Sequence, residues 1–232
     1  MGPNPLPIKN LFFDMGNTLT HRAIDREVGQ AMHLRELGYE VSDEEMLEAY
    51  SKAKLAVPRR GPYKQSIEEI ERHFMQRLEV TLEYLDLRPA GEIAQTLARS
   101  GHNPIVLFPD VSPTLKAARE HGYRLGIISN WDPGLAALCR QLGIADHFDT
   151  IIASRAAGFR KPNPEIFMAA LASIGARARE SVHVGDSPGS DAFGAMSVGM
   201  HPVVIDRSGS GGKLFCPIVL SLEEVVPLAQ SL

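Results

Sequence analysis

The chain has 232 residues, of which 44% are hydrophobic and 22% are charged, and its formal net charge is −4. This length allows one large domain or a core with an inserted unit, with enough apolar residues to bury a core. The small net charge excludes the strongly basic surface of a nucleic-acid-binding protein and a disordered acidic tail.

The composition favours a cytoplasmic protein. Its two cysteines, Cys139 and Cys216, are too few for a disulfide framework, so reduced thiols are expected. No apolar run approaches the roughly 20 residues that cross a bilayer, and residues 1–9 lack the pattern of a signal peptide. We expect neither a nucleic-acid nor a membrane partner, and the sequence leaves the oligomeric state open between monomer and homodimer.

The chain opens with a short apolar strand, NLFFD at residues 10–14, and then changes to helical periodicity. From residue 22 to about residue 100, apolar residues recur every three or four positions, which is typical of amphipathic helices. One long helix presents Ile67, Ile70, Phe74, Leu78, Leu82 and Leu85 on one face, and a shorter helix presents Met46, Tyr50, Ala53 and Val57. We therefore predict an insert of about four helices after the first strand.

From residue 108 onward, short β-branched runs alternate with helical segments. The expected strands cover residues 123–130, 149–154, 181–186 and 201–206, with 217–220 as an edge strand. The helices expected between them cover residues 113–120, 164–174 and 191–198. Such alternation predicts an α/β fold, a Rossmann-like, doubly wound parallel sheet with helices on both faces. Residues 1–20 and 101–232 then form the core, and residues 21–100 form an inserted α-helical domain.

Four stretches carry candidate functional residues: FDMGNTL around Asp14, IISNWD around Ser129, GFRKPNPEIF around Lys161, and HVGDSPGSDAFGA around Asp186 and Asp191. Ligands of a parallel sheet bind at the carboxyl ends of its strands, so Asp14, Ser129 and Asp186 are expected on one edge. Each stretch also has a simpler interpretation. Asp14 fits an ordinary turn, Ser129 fits an N-cap for a helix near residue 133, and Lys161 fits a solvated lysine. Asp191 fits the cap of a turn into a helix.

Taken together, the four stretches indicate chemistry on a charged group. They combine a carboxylate nucleophile, a hydroxyl and an amide that suit a phosphate, a lysine, and two carboxylates that suit Mg²⁺. This is a complete set for metal-assisted transfer of a charged group. Their order resembles that of the haloacid dehalogenase superfamily, in its phosphatase-like branch with a helical cap after the first motif. The resemblance covers essentially the whole chain and includes the segment LFPDVSPTL that returns to the core.

The resemblance implies a Mg²⁺-dependent phosphatase or phosphotransferase that acts on a small phosphorylated metabolite through an aspartyl phosphate. Asp14 is then the nucleophile, and Lys161 cancels part of the repulsion between the nucleophile and the phosphate. The implied ligands of Mg²⁺ are Asp14, Asp186, Asp191 and the backbone carbonyl of Gly16.

The resemblance also implies residues that bind the substrate. Thr18 and Ser129 would offer hydroxyl groups to the nucleophile or the phosphate, and backbone N–H groups near Asn130 and Gly16 would contribute an anion-binding nest. In the cap, Arg59 and Arg60 belong to a basic loop that would contact the substrate. The alternative for this loop is a solvated linker between two helices.

One position departs from the family pattern. The phosphatases of the family carry an aspartate two residues after the nucleophile, and this chain has Gly16 there. The missing side chain would protonate the leaving group, a contribution of about 10²–10⁴-fold. Three expectations remain open: substrates with good leaving groups, a substitute acid such as His21, or a catalytically weak pseudo-phosphatase that binds a phosphorylated ligand.

Two other reactions of the family lack this second aspartate. Halide displacement from a haloacid fits Gly16, but Asp186 and Asp191 argue against it because they would repel a carboxylate substrate. Hydrolysis of a phosphonoaldehyde keeps the metal but needs a cap lysine. Lysines are available in the helical insert, at Lys52, Lys54 and Lys64, although no motif marks any of them.

Two further expectations concern packing. The run RSGSGG at residues 207–212 is typical of a flexible surface loop. Trp131 is the only tryptophan, and we expect it to pack against the cap or a loop rather than to bind a ligand.

Overall fold

A computed structural model describes residues 6–58, 67–99, 104–209 and 211–232. The chain divides into two compact units, Met1–His21 with Val106–Leu232 and Arg22–Ile105. We call the first the α/β unit and the second the helical unit. The division expected from the sequence had its boundaries after residues 20 and 100.

The strands, in chain order, are β1 (Asn10–Phe13), β2 (Thr20–Arg22), β3 (Ile105–Leu107), β4 (Arg124–Ser129), β5 (Thr150–Ala153), β6 (Ser181–Gly185), β7 (His201–Ile205) and β8 (Ile218–Val219). Within the described ranges, six of them form one sheet in the order β5-β4-β1-β6-β7-β8, and every pair is parallel. The α/β fold class is confirmed, and β8 is an edge strand as predicted. The sequence did not predict β2 and β3, which pair with each other where the chain passes between the two units.

The helices are α1 (Arg26–Glu36), α2 (Asp43–Ala56), α3 (Ile67–Tyr84), α4 (Ala90–Arg99), α5 (Val111–Glu120), α6 (Leu135–Gln141), α7 (Ser154–Ala157), α8 (Pro164–Ser173), α9 (Phe193–Ser197) and α10 (Val225–Ser231). The first four belong to the helical unit. The helix predicted at residues 191–198 differs, because a π-helical turn, Pro188–Ala192, precedes α9. Across the described residues, no helix is both long and apolar enough to span a membrane.

Alternating residues of the central strand pack on opposite faces of the sheet. Leu11 and Phe13 of β1 belong to a buried cluster that includes Leu115 of α5 and the free thiol Cys139 of α6. Phe12 belongs to a second buried cluster, formed with α8 and α9. Because successive side chains of a strand point to opposite faces, this sheet is covered by helices on both sides, as in a doubly wound fold.

The helical unit has a hydrophobic core of its own. Leu34 of α1, Met46 of α2, Leu82 of α3 and Ala94 of α4 are buried in it and have no exposed surface. The predicted helical faces therefore contribute to this core through Met46 and Leu82. Ile67 and Ile70 were predicted on the same face as Leu82, but their side chains lie outside the described part of the structure.

Candidate active site

The parallel register brings the ends of three central strands to one edge of the sheet. Phe13, the last residue of β1, lies opposite Ile127 of β4 and Val184 of β6. Asp14 follows at once, and its backbone N–H donates to the Val184 carbonyl at 2.8 Å. Ser129 ends β4 and is buried, and a partly buried carboxylate, Asp186, directly follows β6.

A buried lysine joins two of the candidate carboxylates. The ammonium group of Lys161 donates to Oδ1 of Asp14 and, at 2.6 Å, to Oδ1 of Asp191. The exposed fractions are 3% for Lys161, 7% for Asp14 and 1% for Asp191. The interpretation of Lys161 as a solvated lysine is therefore wrong. Charge-assisted hydrogen bonds of this kind are about twice as strong as neutral ones.

Burial and charge act against each other in this cluster. Burial would lower the pKa of Lys161, but the two carboxylates beside it raise that pKa above its ordinary value. Burial would also raise the pKa of Asp191, yet Lys161 and a neighbouring histidine, His183, hold it well below its usual range. For Asp14 burial is the larger influence and raises its pKa despite Lys161. Lys161 and Asp191 are therefore an ammonium–carboxylate pair at neutral pH.

His183, in the middle of β6, was not identified from the sequence. Its Nε2 lies 2.9 Å from Oδ1 of Asp191, and its ring packs edge-on against Phe167 with the centroids 5.2 Å apart. Burial lowers its pKa, and its Nδ1 has no hydrogen-bond partner among the described residues, so the neutral ring donates from Nε2. The sequence feature that could have identified His183 is its position as a polar residue between two valines of the predicted strand.

The turn after β6 is built around the Asp191 carboxylate. Oδ2 of Asp191 accepts the backbone N–H of Ser187 at 3.1 Å. A Cβ atom on Gly185 would lie 2.2 Å from Cγ of Asp191, so only glycine leaves room for this carboxylate. The hydroxyl of Ser187 caps the turn by accepting the N–H of Ser190 at 3.2 Å. The interpretation of Asp191 as the cap is wrong, because Ser187 has that role.

Three carboxylates of the site suit a hard cation. Asp14, Asp186 and Asp191 each offer one oxygen, and these oxygens all lie within 4.8 Å of one another. Burial, with the Asp14 charge as a second cause, raises the pKa of Asp186 to about 6. Three carboxylates beside a single ammonium leave an excess of negative charge, and carboxylate oxygens are the ligands that Mg²⁺ prefers. The residues present therefore fit a Mg²⁺ ion.

A tight turn at residues 15–20 follows Asp14. The carbonyl of Met15 accepts the backbone N–H groups of Leu19 at 3.0 Å and Thr20 at 2.8 Å, and also the Thr20 hydroxyl at 3.0 Å. Asn17 has a left-handed backbone, with φ of 56°, and its side-chain amide donates to Oδ2 of Asp186 at 3.2 Å. The turn thereby connects the end of β1 to the end of β6.

Gly16 lies in this turn beside the single tryptophan. A Cβ atom added to Gly16 would meet Trp131 at 3.8 Å, an ordinary contact distance. Trp131 is partly buried and packs against the core of the α/β unit. Another candidate of this region, His21, packs its ring against Phe108 with the centroids 4.6 Å apart and the planes tilted by 37°.

The candidate phosphate-binding residues have different surroundings. The Asn130 side chain makes two hydrogen bonds with the main chain of Lys161. Its Nδ2 donates to the Lys161 carbonyl at 3.1 Å, and its Oδ1 accepts the Lys161 N–H at 2.8 Å. Thr18 is fully buried, and its hydroxyl has no hydrogen-bond partner within the described residues. The expected N-cap at Ser129 is wrong, because helix α6 begins later and Gly134 precedes it. Arg59 and Arg60 lie outside the described residues.

Curated relatives of the chain include phosphatases. The chain is 30% identical over 204 residues to ribulose-1,5-bisphosphate 5-phosphatase of Halopiger xanaduensis, covering 85% of this chain and 84% of that one. It is 33% identical over 122 residues to haloacid dehalogenase-like hydrolase domain-containing protein 3 of Bos taurus, covering 52% of this chain. That alignment includes 49% of the bovine protein, and the alignments with its human and mouse counterparts include 49% and 38%, so the chain spans half or less of the length of these mammalian relatives.

Solved structures show the same architecture over nearly the whole chain. A HAD phosphatase from Thermococcus onnurineus is 25% identical with a TM-score of 0.62, covering 95% of this chain and 97% of that one. The 2-haloacid dehalogenase from Pseudomonas syringae is 26% identical with a TM-score of 0.61, covering 97% and 98%. The model of haloacid dehalogenase-like hydrolases matches residues 8–199. The chain therefore belongs to the haloacid dehalogenase-like hydrolase family.

Proposed function

We propose that this hydrolase is a Mg²⁺-dependent phosphatase or phosphotransferase for a small phosphorylated metabolite, with Asp14 as its nucleophile. The observation that carries the proposal is the buried contact of the Lys161 ammonium with Asp14 and Asp191, beside Asp186. The name of the Halopiger xanaduensis relative, a ribulose-1,5-bisphosphate 5-phosphatase, supports phosphate chemistry on a small metabolite. In this proposal the helical unit has the role of a cap.

The reaction proceeds in two steps. A carboxylate oxygen of Asp14 attacks phosphorus, and the bond from phosphorus to the leaving oxygen breaks, which gives an aspartyl phosphate and the leaving group as an anion. A carboxylate or phenolate leaves as such, whereas an alkoxide takes its proton from water. Water then attacks the phosphorus of the aspartyl phosphate and releases inorganic phosphate, which restores the Asp14 carboxylate. In a phosphotransferase, an acceptor hydroxyl takes the place of this water.

Positive charge makes the first step possible, since nucleophile and substrate are both anions. Lys161 lies against Asp14 and would also neutralise the phosphoryl oxygens as charge develops on them. Asp14, Asp186 and Asp191, with the carbonyl of Gly16, would hold Mg²⁺, which supplies further neutralisation as a Lewis acid.

The hydroxyl groups of the site fit the phosphate oxygens. Ser129 ends β4 at the same edge of the sheet as Asp14 and would donate to the phosphate. The buried Thr18 hydroxyl lacks a protein partner among the described residues, so it is available to the phosphate or to the nucleophile. In this proposal the Asn130 side chain fixes Lys161 through its main chain, while backbone N–H groups near Asn130 keep the expected role in binding the phosphate.

In this proposal the absence of a side chain at Gly16 limits the leaving groups of the substrates that are turned over. No side chain at this position can protonate a leaving alkoxide, and general acids contribute about 10²–10⁴-fold to such steps. Acyl phosphates and aryl phosphates need little protonation because their leaving groups are weak bases. We infer a preference for such substrates, with His21 as the residue to test for a substitute acid.

Halide displacement from a 2-haloacid is the second candidate function. The absence of a carboxyl side chain at Gly16 and the similarity to the Pseudomonas syringae dehalogenase favour it. The grouping of Asp14, Asp186 and Asp191 disfavours it, because a substrate carboxylate would be repelled by three others. Hydrolysis of a phosphonoaldehyde would need a lysine of the helical unit. Lys52 is a poor candidate, because its side chain is half-exposed on α2 and pairs with Glu48 at 2.8 Å.

The test is a series of substrates graded by the pKa of the leaving group, from acetyl phosphate through p-nitrophenyl phosphate to sugar phosphates, with and without Mg²⁺. The proposal predicts Mg²⁺-dependent phosphate release that falls steeply as the leaving group becomes more basic. Halide release from a 2-haloacid, without phosphate release from any member of the series, would favour the second candidate. Binding of phosphate without any turnover would indicate a pseudo-phosphatase.

A further inference from the structure

Arg207, which follows β7, connects two segments that follow β1 and β3. Its guanidinium donates to both oxygens of Asp110, at 3.0 and 3.1 Å, and to the carbonyl of Thr18 at 2.6 Å. It also stacks on the ring of Phe108, 3.6 Å from the ring centroid. Only 18% of the Arg207 side chain is exposed. The residue was expected in a flexible surface loop, but its side chain is held on three sides.

Asp110 keeps the Arg207 guanidinium in place. Its Oδ2 also accepts the hydroxyl of Ser221 at 3.0 Å and the backbone N–H of Leu222 at 2.9 Å. Burial would raise the pKa of Asp110, but these hydrogen bonds and Arg207 lower it, so Asp110 is a carboxylate at neutral pH. A bidentate arginine–carboxylate pair has a fixed geometry, which a lysine cannot reproduce.

The loop that carries Arg207 is itself ordered by its neighbour Asp206. Oδ1 of Asp206 accepts the N–H groups of Ser208 at 3.2 Å and Gly209 at 3.1 Å, and Oδ2 accepts that of Gly211 at 2.6 Å. These local hydrogen bonds limit the conformations of the backbone at Arg207. Arg207 is therefore held at both ends of its side chain: the loop orders its backbone, and Asp110 holds its guanidinium group.

The Thr18 carbonyl that Arg207 contacts belongs to the turn of residues 15–20. This turn directly follows Asp14, places Gly16 beside Trp131 and reaches Asp186 through Asn17. Met15, the residue after Asp14, closes the turn by accepting the backbone N–H groups of Leu19 and Thr20, so the closing hydrogen bonds lie next to Asp14. The contact at Thr18 is thus a contact with the backbone of the candidate active site.

We propose that Arg207, held by Asp110, is a positioning residue that fixes the turn of residues 15–20 and thereby the orientation of Asp14. It touches neither the substrate nor the reacting atoms. The ordering of the turn follows from the contacts of the α/β unit alone, whereas its effect on turnover rests on the proposed function. Small misplacements of reacting groups can lower rates by about 10²-fold.

The experiment compares amide hydrogen exchange in wild type, Arg207→Gln and the matched control Arg119→Gln, each as the full chain. Arg119 has the same chemistry elsewhere in the α/β unit, since it donates to Asp149 at 2.7 Å and to the Tyr123 carbonyl at 3.4 Å. We expect Arg207→Gln to raise exchange in peptides covering residues 15–20 by about tenfold or more. Arg119→Gln should leave those peptides unchanged, and Arg207→Lys should restore part of the protection.

Kinetics with acetyl phosphate supply the second measurement. We expect Arg207→Gln to lower kcat by about 10–100-fold with little change in KM, and Arg119→Gln to leave both near wild type. Unchanged exchange at residues 15–20 in Arg207→Gln would overturn the proposal, whatever the kinetics. If the wild type releases no phosphate, the proposed function fails, while the exchange comparison still decides whether Arg207 orders the turn. If Arg207→Gln does not fold, Asp110→Asn replaces it with the same expected direction.

Discussion

A Cβ atom on Gly16 would lie 3.8 Å from Cζ3 of Trp131, so neither the space nor the backbone at this position requires a glycine. The backbone of Asn17, the next residue, is left-handed, whereas Gly16 is not among the residues with positive φ. A side chain can therefore be introduced at this position without backbone strain, and a carboxyl group can be supplied there by substitution.

Gly16→Asp is expected to raise phosphate release from substrates with basic leaving groups. The new carboxyl would stand two residues after Asp14, where it can protonate a leaving alkoxide. We expect a gain of about tenfold or more on sugar phosphates and little change on acetyl phosphate, because a well-positioned general acid contributes about 10²–10⁴-fold and an introduced one is less well positioned. Steady-state kinetics on both substrate classes measure this.

The matched control for that substitution is Gly16→Asn, which has nearly the same size and no acidic proton. Its rates should stay close to those of the wild type on both classes. Equal gains in Gly16→Asn and Gly16→Asp would show that filling the space beside Trp131, and not proton transfer, causes the change.

Lys161→Met is expected to lower the free energy of unfolding by about 3–5 kcal/mol in EDTA, the usual loss when one partner of a buried ion pair is removed. The substitution leaves Asp14 and Asp191 as neighbouring buried carboxylates. Mg²⁺ should recover part of the loss because it takes over the neutralisation of these charges. Urea unfolding measures both values.

The control for this stability test is Lys116→Met, whose lysine side chain is 75% exposed and lies 3.9 Å from Glu120. Exposed ion pairs contribute roughly 0–1 kcal/mol, so this variant should unfold like the wild type. A loss of similar size in the two variants would contradict the central place of Lys161 in the cluster.

The strands of the six-stranded sheet could be predicted from the sequence because short β-branched and apolar runs alternate with helical segments. The run expected at residues 123–130 is β4, Arg124–Ser129, and the other predicted strands differ from the structure by one or two residues. The three-residue strands β2 and β3 were missed, since they have no repeating pattern and pair only with each other.

The side-chain partners at the site could be predicted only in part. The ends of the predicted strands placed Asp14 and Asp186 together, the spacing of Asp186 and Asp191 suited a cation, and the three carboxylates do lie together. The partner of Asn130 could not be foreseen, because Lys161 is distant in sequence and comes close only through the fold. The same holds for Arg207 and Thr18.

The pKa of Asp186 gives a pH-dependent prediction for the metal-free protein. In the folded protein the pKa of Asp186 is about 6, above the ordinary value of 3.8, so protonation of this carboxyl group favours the folded state. The resulting stability is fully present below about pH 4 and is lost as pH rises through about 6. Asp186→Asn, which cannot ionise, should gain on the order of 3 kcal/mol relative to wild type between about pH 4 and pH 8.

Urea unfolding of both proteins in EDTA across this pH range tests the sign and the size of the effect. The readout is the difference in unfolding free energy between Asp186→Asn and wild type, which removes the contributions of other titrating groups. A difference that stays constant with pH, or that falls as pH rises, would contradict a raised pKa for Asp186.

Asn130→Ala is expected to lower kcat by about 10–100-fold and to change KM little, because its side chain holds the main chain of Lys161. Direct binding of the substrate by the Asn130 side chain would instead raise KM. Steady-state kinetics with acetyl phosphate separate the two roles.

The nucleophilic role of Asp14 is tested most directly by trapping phosphorus on this residue. Wild type would be mixed with acetyl phosphate and Mg²⁺, quenched in acid, and its peptides examined by mass spectrometry, with Asp14→Asn as the control. We expect one added phosphoryl group on the peptide that contains Asp14 in wild type and none on the corresponding peptide of Asp14→Asn. Turnover of acetyl phosphate without this adduct, or continued turnover by Asp14→Asn, would contradict a nucleophilic role for Asp14.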